Sequence, residues 1–282
     1  MVGQKKYSVS RIIFFIFVLI GCLFMLYPLI WMVVSSFKPE YLIFRDKSLI
    51  IREFTWFNYE KGFAGVNGVT FWDYLLNTFK VVIPVVIGTV ISSAMAGYAF
   101  VRLHFVGKKL YFGLMIMTMM LPIHAMLIPR YMMFKTFGWL DTYLPLTIPS
   151  FFATGAFFVF LFVQFMRGIP SDIDEAAEID GCNPINIFIR LIVPLSTPAI
   201  LTASIFSFIW TYDDFFSQLI YINNPKKFTM ALALRQYTEA LELSAFGTLF
   251  AMSAVSLVPL FVFFIACQKY LVEGIATTGI KG

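Results

Sequence analysis

Six stretches of this 282-residue chain lack Asp, Glu, Lys and Arg and are long enough to cross a bilayer as helices. They cover residues 12–37, 81–101, 110–129, 142–166, 191–212 and 243–268. A hydrocarbon core about 30 Å thick needs about 20 helical residues. The runs are continuously apolar rather than alternating, which excludes a transmembrane barrel. Hydrocarbon also forbids unpaired backbone groups, so each run is expected to be helical. The pattern predicts an all-α membrane protein with six transmembrane helices and both termini on one side.

Between the fourth and fifth runs the pattern changes. Residues 171–190 are polar and short-helical, and residues 172–180 hold five carboxylates. Ser171 is expected to cap a short helix, with Asp174 three residues on as a variant capping box. Acidic residues crowd the first turns, where the helix dipole favours them. Gly181 is expected to stop that helix in the left-handed conformation. Asn183-Pro184 then opens a second helix. The prediction is a compact protruding knob. A surface amphipathic helix would need a wide apolar stripe and usually cationic residues, and this segment is strongly acidic.

Composition agrees with a lipid-embedded chain. Hydrophobic residues make up 60% and charged residues 13%, against about 25% charged in soluble domains. The net charge of +5 suits anionic lipid. The 21 Lys and Arg form no stripe, so nucleic acid is not an expected partner. Cys22, Cys182 and Cys267 lack metal-ligand spacing and read as reduced packing residues, so no metal site is expected. Lys5, Lys6 and Arg11 precede the first run, but its length exceeds a signal-peptide core, and it reads as a retained span. Basic residues divide almost evenly between the two sides; their density leans inward because segments 38–80 and 213–242 are long. Proline punctuates the runs at Pro84, Pro122, Pro129, Pro145, Pro149 and Pro259, as suits a bundle that bends. No P-loop pattern occurs, so ATP, if used, belongs to another chain.

The order Glu175-Ala176-Ala177, three residues, Gly181, then Leu191 and Pro194 resembles the cytoplasmic loop that permeases of bacterial ABC importers offer to their ATPase. The stretches 144–149, Gln164-Phe165 and the tail from Val272 to Gly282 are similar to the carbohydrate branch, the smaller permease subunit of maltose-type systems. The chain departs from that branch in carrying Cys182 where Ala is common and Tyr212-Asp213-Asp214-Phe215 where Trp-Asn-Asp-Phe is more frequent.

The resemblance implies a single permease domain over residues 1–282 in the bacterial plasma membrane, with both termini cytoplasmic. It implies a coupling loop at 171–190 and extracytoplasmic loops at 38–80 and 213–242. The chain would form half of a pore with a second, homologous permease. Two ATPase subunits would hold the knob and bind ATP and Mg, so no cofactor is expected on this chain, which is not itself an enzyme. An extracytoplasmic solute-binding protein would deliver a sugar or oligosaccharide and meet the 213–242 loop. Glu175, Ala176, Ala177, Asp180 and Gly181 map to ATPase coupling; Thr277, Thr278, Gly279 and Lys281 map to a tail along the ATPase pair.

Other candidates carry two readings. Asp213 and Asp214, at the outer end of the fifth run, line the sugar path or mark an ordinary boundary. His124 lines the pore or bonds a neighbouring helix. Lys226 and Lys227 meet an acidic partner or keep a turn solvated. Trp139 and Tyr143 fit an interfacial belt. Two alternatives remain: a permease of the same family for a non-sugar solute, and a stand-alone secondary transporter. Membrane-buried charges and repeated halves, frequent in the latter, are missing from the runs.

Overall fold

A computed structural model of the chain describes residues 9–239 and 245–279. Among the described residues the regular structure is helical, joined by turns and irregular segments, with no strand beyond an isolated bridge between Val66 and Val69. Among the described residues, four segments are long and apolar enough to cross a membrane: Ile13–Ser36, Phe71–Arg102, Leu144–Arg167 and Phe246–Gln268. A fifth is counted if Pro184–Leu195 and Thr197–Tyr212 form one span bent by 76°.

The difference from six has local causes. Residues 110–129 are charge-free, but Pro122 lacks an N–H and disfavours helix before it. The helix Lys108–Thr118 therefore ends, and a 3-10 turn at Ile123–Met126 leads into Leu127–Thr136. The fifth run breaks near Pro194 and Pro198. A π-helical turn at Phe188–Ile192 precedes the bend, a common way for a helix to change direction. Pro84 and Pro259, by contrast, lie inside continuous helices. The second long helix begins at Phe71, ten residues before the charge-free run, because Asp73 and Lys80 do not interrupt helical backbone.

The chain divides into two compact units. One comprises Met1–Phe71 and Leu234–Leu257. Its first helix exposes every described side chain over residues 13–30, as suits contact with hydrocarbon. Lys38 is buried and donates to the carbonyls of Asp46 (2.8 Å) and Ser48 (2.6 Å). Asn58 donates to the carbonyls of Ser36 and Lys38. The Glu40 carboxylate accepts from the amides of Phe246 (2.9 Å) and Gly247 (2.8 Å), capping the helix Phe246–Gly279 from a distant segment.

The other unit comprises Trp72–Ala233 and Val258–Gly282. Its core joins Tyr98, Phe158, Phe162, Met166, Ile187 and Ala203 into one apolar cluster. Gly97 makes the close approach possible: a Cβ there would lie 2.7 Å from the Cβ of Phe162. Segment 213–242, read from the sequence as a loop, contains the helices Phe216–Tyr221 and Met230–Glu239.

Candidate functional site

The knob forms as a short helix, a turn and a second helix. Asp172–Ile179 is the first helix. Its end is a Schellman motif: Cys182 N–H donates to Ala177 O (2.9 Å) and Gly181 N–H to Glu178 O (3.0 Å). Gly181 has φ +83°, the left-handed value expected of it. Asn183 caps the second helix, its side chain accepting from Asn186 N–H at 2.8 Å, with Pro184 at the first position.

The other cap differs from expectation. Ser171 has helical backbone angles (φ −67°, ψ −25°) and its hydroxyl makes no capping bond. Asp174 does not reach back to form a capping box. Its carboxylate pairs with the guanidinium of Arg102, the last residue of Phe71–Arg102. Both side chains are largely buried, 14% and 13% exposed. Arg102 also donates to Ile169 O at 2.8 Å and Pro170 O at 3.4 Å. One guanidinium thus holds both the segment that enters the knob and its first helix, a geometry suited to its planar donor fork. Burial pushes the Asp174 carboxyl above the usual carboxylate range; Arg102 opposes that rise and Glu178 adds to it.

The knob has two faces. Glu175, Ala176, Glu178, Asp180 and Gly181 are exposed, and Ile179 is 86% exposed. Ala177 turns inward, buried in the cluster of Phe162, Met166 and Ile187. Of the alanine pair, Ala176 leaves the surface flat and Ala177 lets the helix settle on the chain's own core. Ile185 and Ile189 extend the exposed apolar surface.

A second braced element lies in the same unit. Asp141, with φ +57°, accepts from the amides of Asn223 (3.1 Å) and Asn224 (2.9 Å) and pairs with Lys227 (2.8 Å). Tyr143 donates to Lys227 O, and Asn77 to the carbonyls of Lys226 and Phe228. Lys227 holds the Asp141 carboxyl below its ordinary range, with the two amides adding to that and burial opposing it. The Lys227 ammonium therefore serves this chain's own turn. Trp139 stacks on Phe134, their ring centres 5.7 Å apart.

The candidates for a solute path separate. Asp213 is exposed; Asp214 is half-buried and accepts from Ser217 N–H at 3.1 Å. His124 is exposed and packs edge-on against Phe216, centroids 5.6 Å apart. The site residues Thr277, Thr278 and Gly279 fall in the helix Phe246–Gly279, their side chains outside those described, and Lys281 lies outside the described residues. Sequence reasoning missed Arg102 and Asp141 as anchors. No local signal in the sequence names the distant partner of either residue.

Comparison with known proteins adds identity to this geometry. The arabinooligosaccharides transport system permease protein AraQ of Halalkalibacterium halodurans is 27% identical over 268 residues, covering 91% of this chain and 91% of that protein. The trehalose transport system permease protein SugB of Mycobacterium tuberculosis is 29% identical over 258 residues, covering 91% and 93%. A chain from the crystal structure of a bacterial ABC transporter involved in the import of the acidic polysaccharide alginate superposes with a TM-score of 0.82. It is 22% identical and covers 95% of this chain and 100% of that one, a likeness of fold. Residues 88–277 match the family described as "Binding-protein-dependent transport system inner membrane component". The chain belongs to that family of transport-system inner membrane components.

Proposed function

We propose that this chain is the permease subunit of an ATP-driven, binding-protein-dependent importer of sugars or oligosaccharides. It forms half of the translocation pore with a second, homologous permease. It crosses the bacterial plasma membrane six times, the bent pair and the broken run at 110–129 supplying the spans beyond four, with both termini cytoplasmic. Relatives named for arabinooligosaccharides and trehalose support the cargo class.

The observation that carries the coupling role is the knob itself. Its acidic rim at Glu175 and Asp180 and the apolar tip at Ile179 are exposed, while Arg102 and Ala177 fix its base. A rigid exposed handle transmits displacement; a loose one absorbs it. Two ATPase subunits, carrying ATP and Mg, hold this handle and that of the partner permease. The tail through Thr277, Thr278, Gly279 and Lys281 runs along the ATPase pair. The 38–80 and 213–242 segments are extracytoplasmic, and the second, stiffened by Asp141, meets the solute-binding protein.

Glu175→Lys tests the reading. It reverses a rim charge where truncating one member of a desolvated pair costs about 2–5 kcal/mol. The variant is expected to insert at normal amounts and lose uptake. Full uptake, with the ATPase co-purifying at wild-type yield, contradicts it.

A further inference from the structure

We propose that this chain carries a solute subsite of its own, a cavity that takes one ring of a neutral polyhydroxylated solute between Ser93, Arg130 and Asp214. The proposal rests on the importer reading for its cargo class and on the cavity for its place. The cavity measures about 300 Å³ and is lined entirely by residues of the Trp72–Ala233 segment. That is the low end of the range for small-molecule sites, about 300–1,000 Å³. A cavity of that size takes one sugar ring, which can be the end of a longer solute.

Ser93 is the observation that points to a ligand. It is fully buried, its hydroxyl has no hydrogen-bond partner among the described residues, and it lines the cavity. A buried hydroxyl left unpaired is costly, so the partner is expected inside the cavity. Ser93 also lies within the charge-free run 81–101, so the cavity reaches membrane depth.

The remaining lining has complementary chemistry. Asp214 spends one carboxylate oxygen on Ser217 N–H and keeps acceptor capacity for solute hydroxyls. Arg130 has no carboxylate within ion-pair distance among the described residues and offers a donor fork. One cation and one anion suit a solute without net charge, and under the importer reading that solute is a polyol, whose hydroxyls both donate to the carboxylate and accept from the guanidinium. Pro149 and Phe158 give apolar walls for the C–H face of a ring. Asp213 and His124 do not line the cavity.

The test uses the full transporter with Cys22, Cys182 and Cys267 replaced and Ser93→Cys introduced. Methanethiosulfonate ethylammonium is expected to modify that cysteine. Trehalose or arabinotriose at ten times its dissociation constant is expected to slow the reaction about tenfold, since only the empty site reacts. Adding Asp214→Asn is expected to remove the protection. A cysteine that never reacts, or reacts equally with either sugar present, overturns the subsite. Uptake of the same radiolabelled sugars by the wild-type transporter is measured in parallel. Uptake without protection sinks the subsite and leaves the importer reading. Protection without uptake sinks the importer reading and leaves the subsite.

Discussion

Arg102 closes the second long helix and pairs, out of water, with Asp174 in the first turn of the knob. The same guanidinium caps the carbonyls of Ile169 and Pro170. The two residues are far apart in sequence, yet this contact decides how the exposed handle stands on the membrane-spanning part of its unit.

The pair is asymmetric, and the asymmetry is measurable. Arg102→Ala strands a buried carboxylate and frees two carbonyls, so it is expected to cost about 3–5 kcal/mol of local stability. Asp174→Asn leaves Arg102 its two carbonyl acceptors and removes a charge whose burial is unfavourable, so it is expected to cost less. The Asp174 carboxyl sits above its ordinary value of 3.8 in the folded protein. The folded state therefore holds that proton more tightly than the unfolded state. Its contribution is greatest below pH 3.8 and declines as pH rises through the elevated folded value. The Arg102→Ala defect is expected to shrink on acidification. Hydrogen exchange of residues 169–180 between pH 3 and pH 8 checks both statements; equal defects in the two variants at all pH contradict them.

Gly181 gives a local prediction. A Cβ there would meet nothing within 4 Å, so the cost of substitution is in the backbone alone. Gly181→Ala at φ +83° is expected to cost about 1–2 kcal/mol, and Gly181→Asn less. Coupled ATPase activity should fall in the same order as exchange protection of the Schellman amides falls. Equal protection in all three proteins would show that the turn is not held by glycine.

Asp141 stiffens the segment that follows the fifth run. Asp141→Ala removes a partly exposed ion pair and two amide acceptors, about 1–2 kcal/mol after solvent screening. Its carboxyl lies below the ordinary range, so its contribution is present above pH 3.8 and lost as pH falls toward the folded value. Proteolysis of residues 222–228 is expected to quicken in Asp141→Ala at neutral pH. Wild-type resistance in the variant contradicts this.

What was legible in the sequence follows the range of each interaction. Gly181 and Asn183-Pro184 announced themselves because caps and turns are built from neighbours. The helical nature of the apolar runs was legible for the same reason, since backbone in hydrocarbon has few options. Arg102 and Asp141 were not, because their partners come from segments brought near only by folding. The lack of charge marked residues 110–129 as a span, but charge says nothing about helix continuity, and Pro122 breaks it. Ala177 matched the motif beside Ala176, yet only packing shows that one points out and the other in.

The central claim is that the knob is the handle gripped by a separate ATPase. The most direct measurement places Ile179→Cys, at an 86% exposed position, in the assembled transporter with the three native cysteines replaced. A bifunctional thiol reagent is then applied with and without ATP. Cross-linking to the ATPase chain, in a yield that changes with nucleotide, is the predicted result. A cysteine labelled only by an impermeant reagent from outside the cell, with no cross-link in any nucleotide state, would contradict the account.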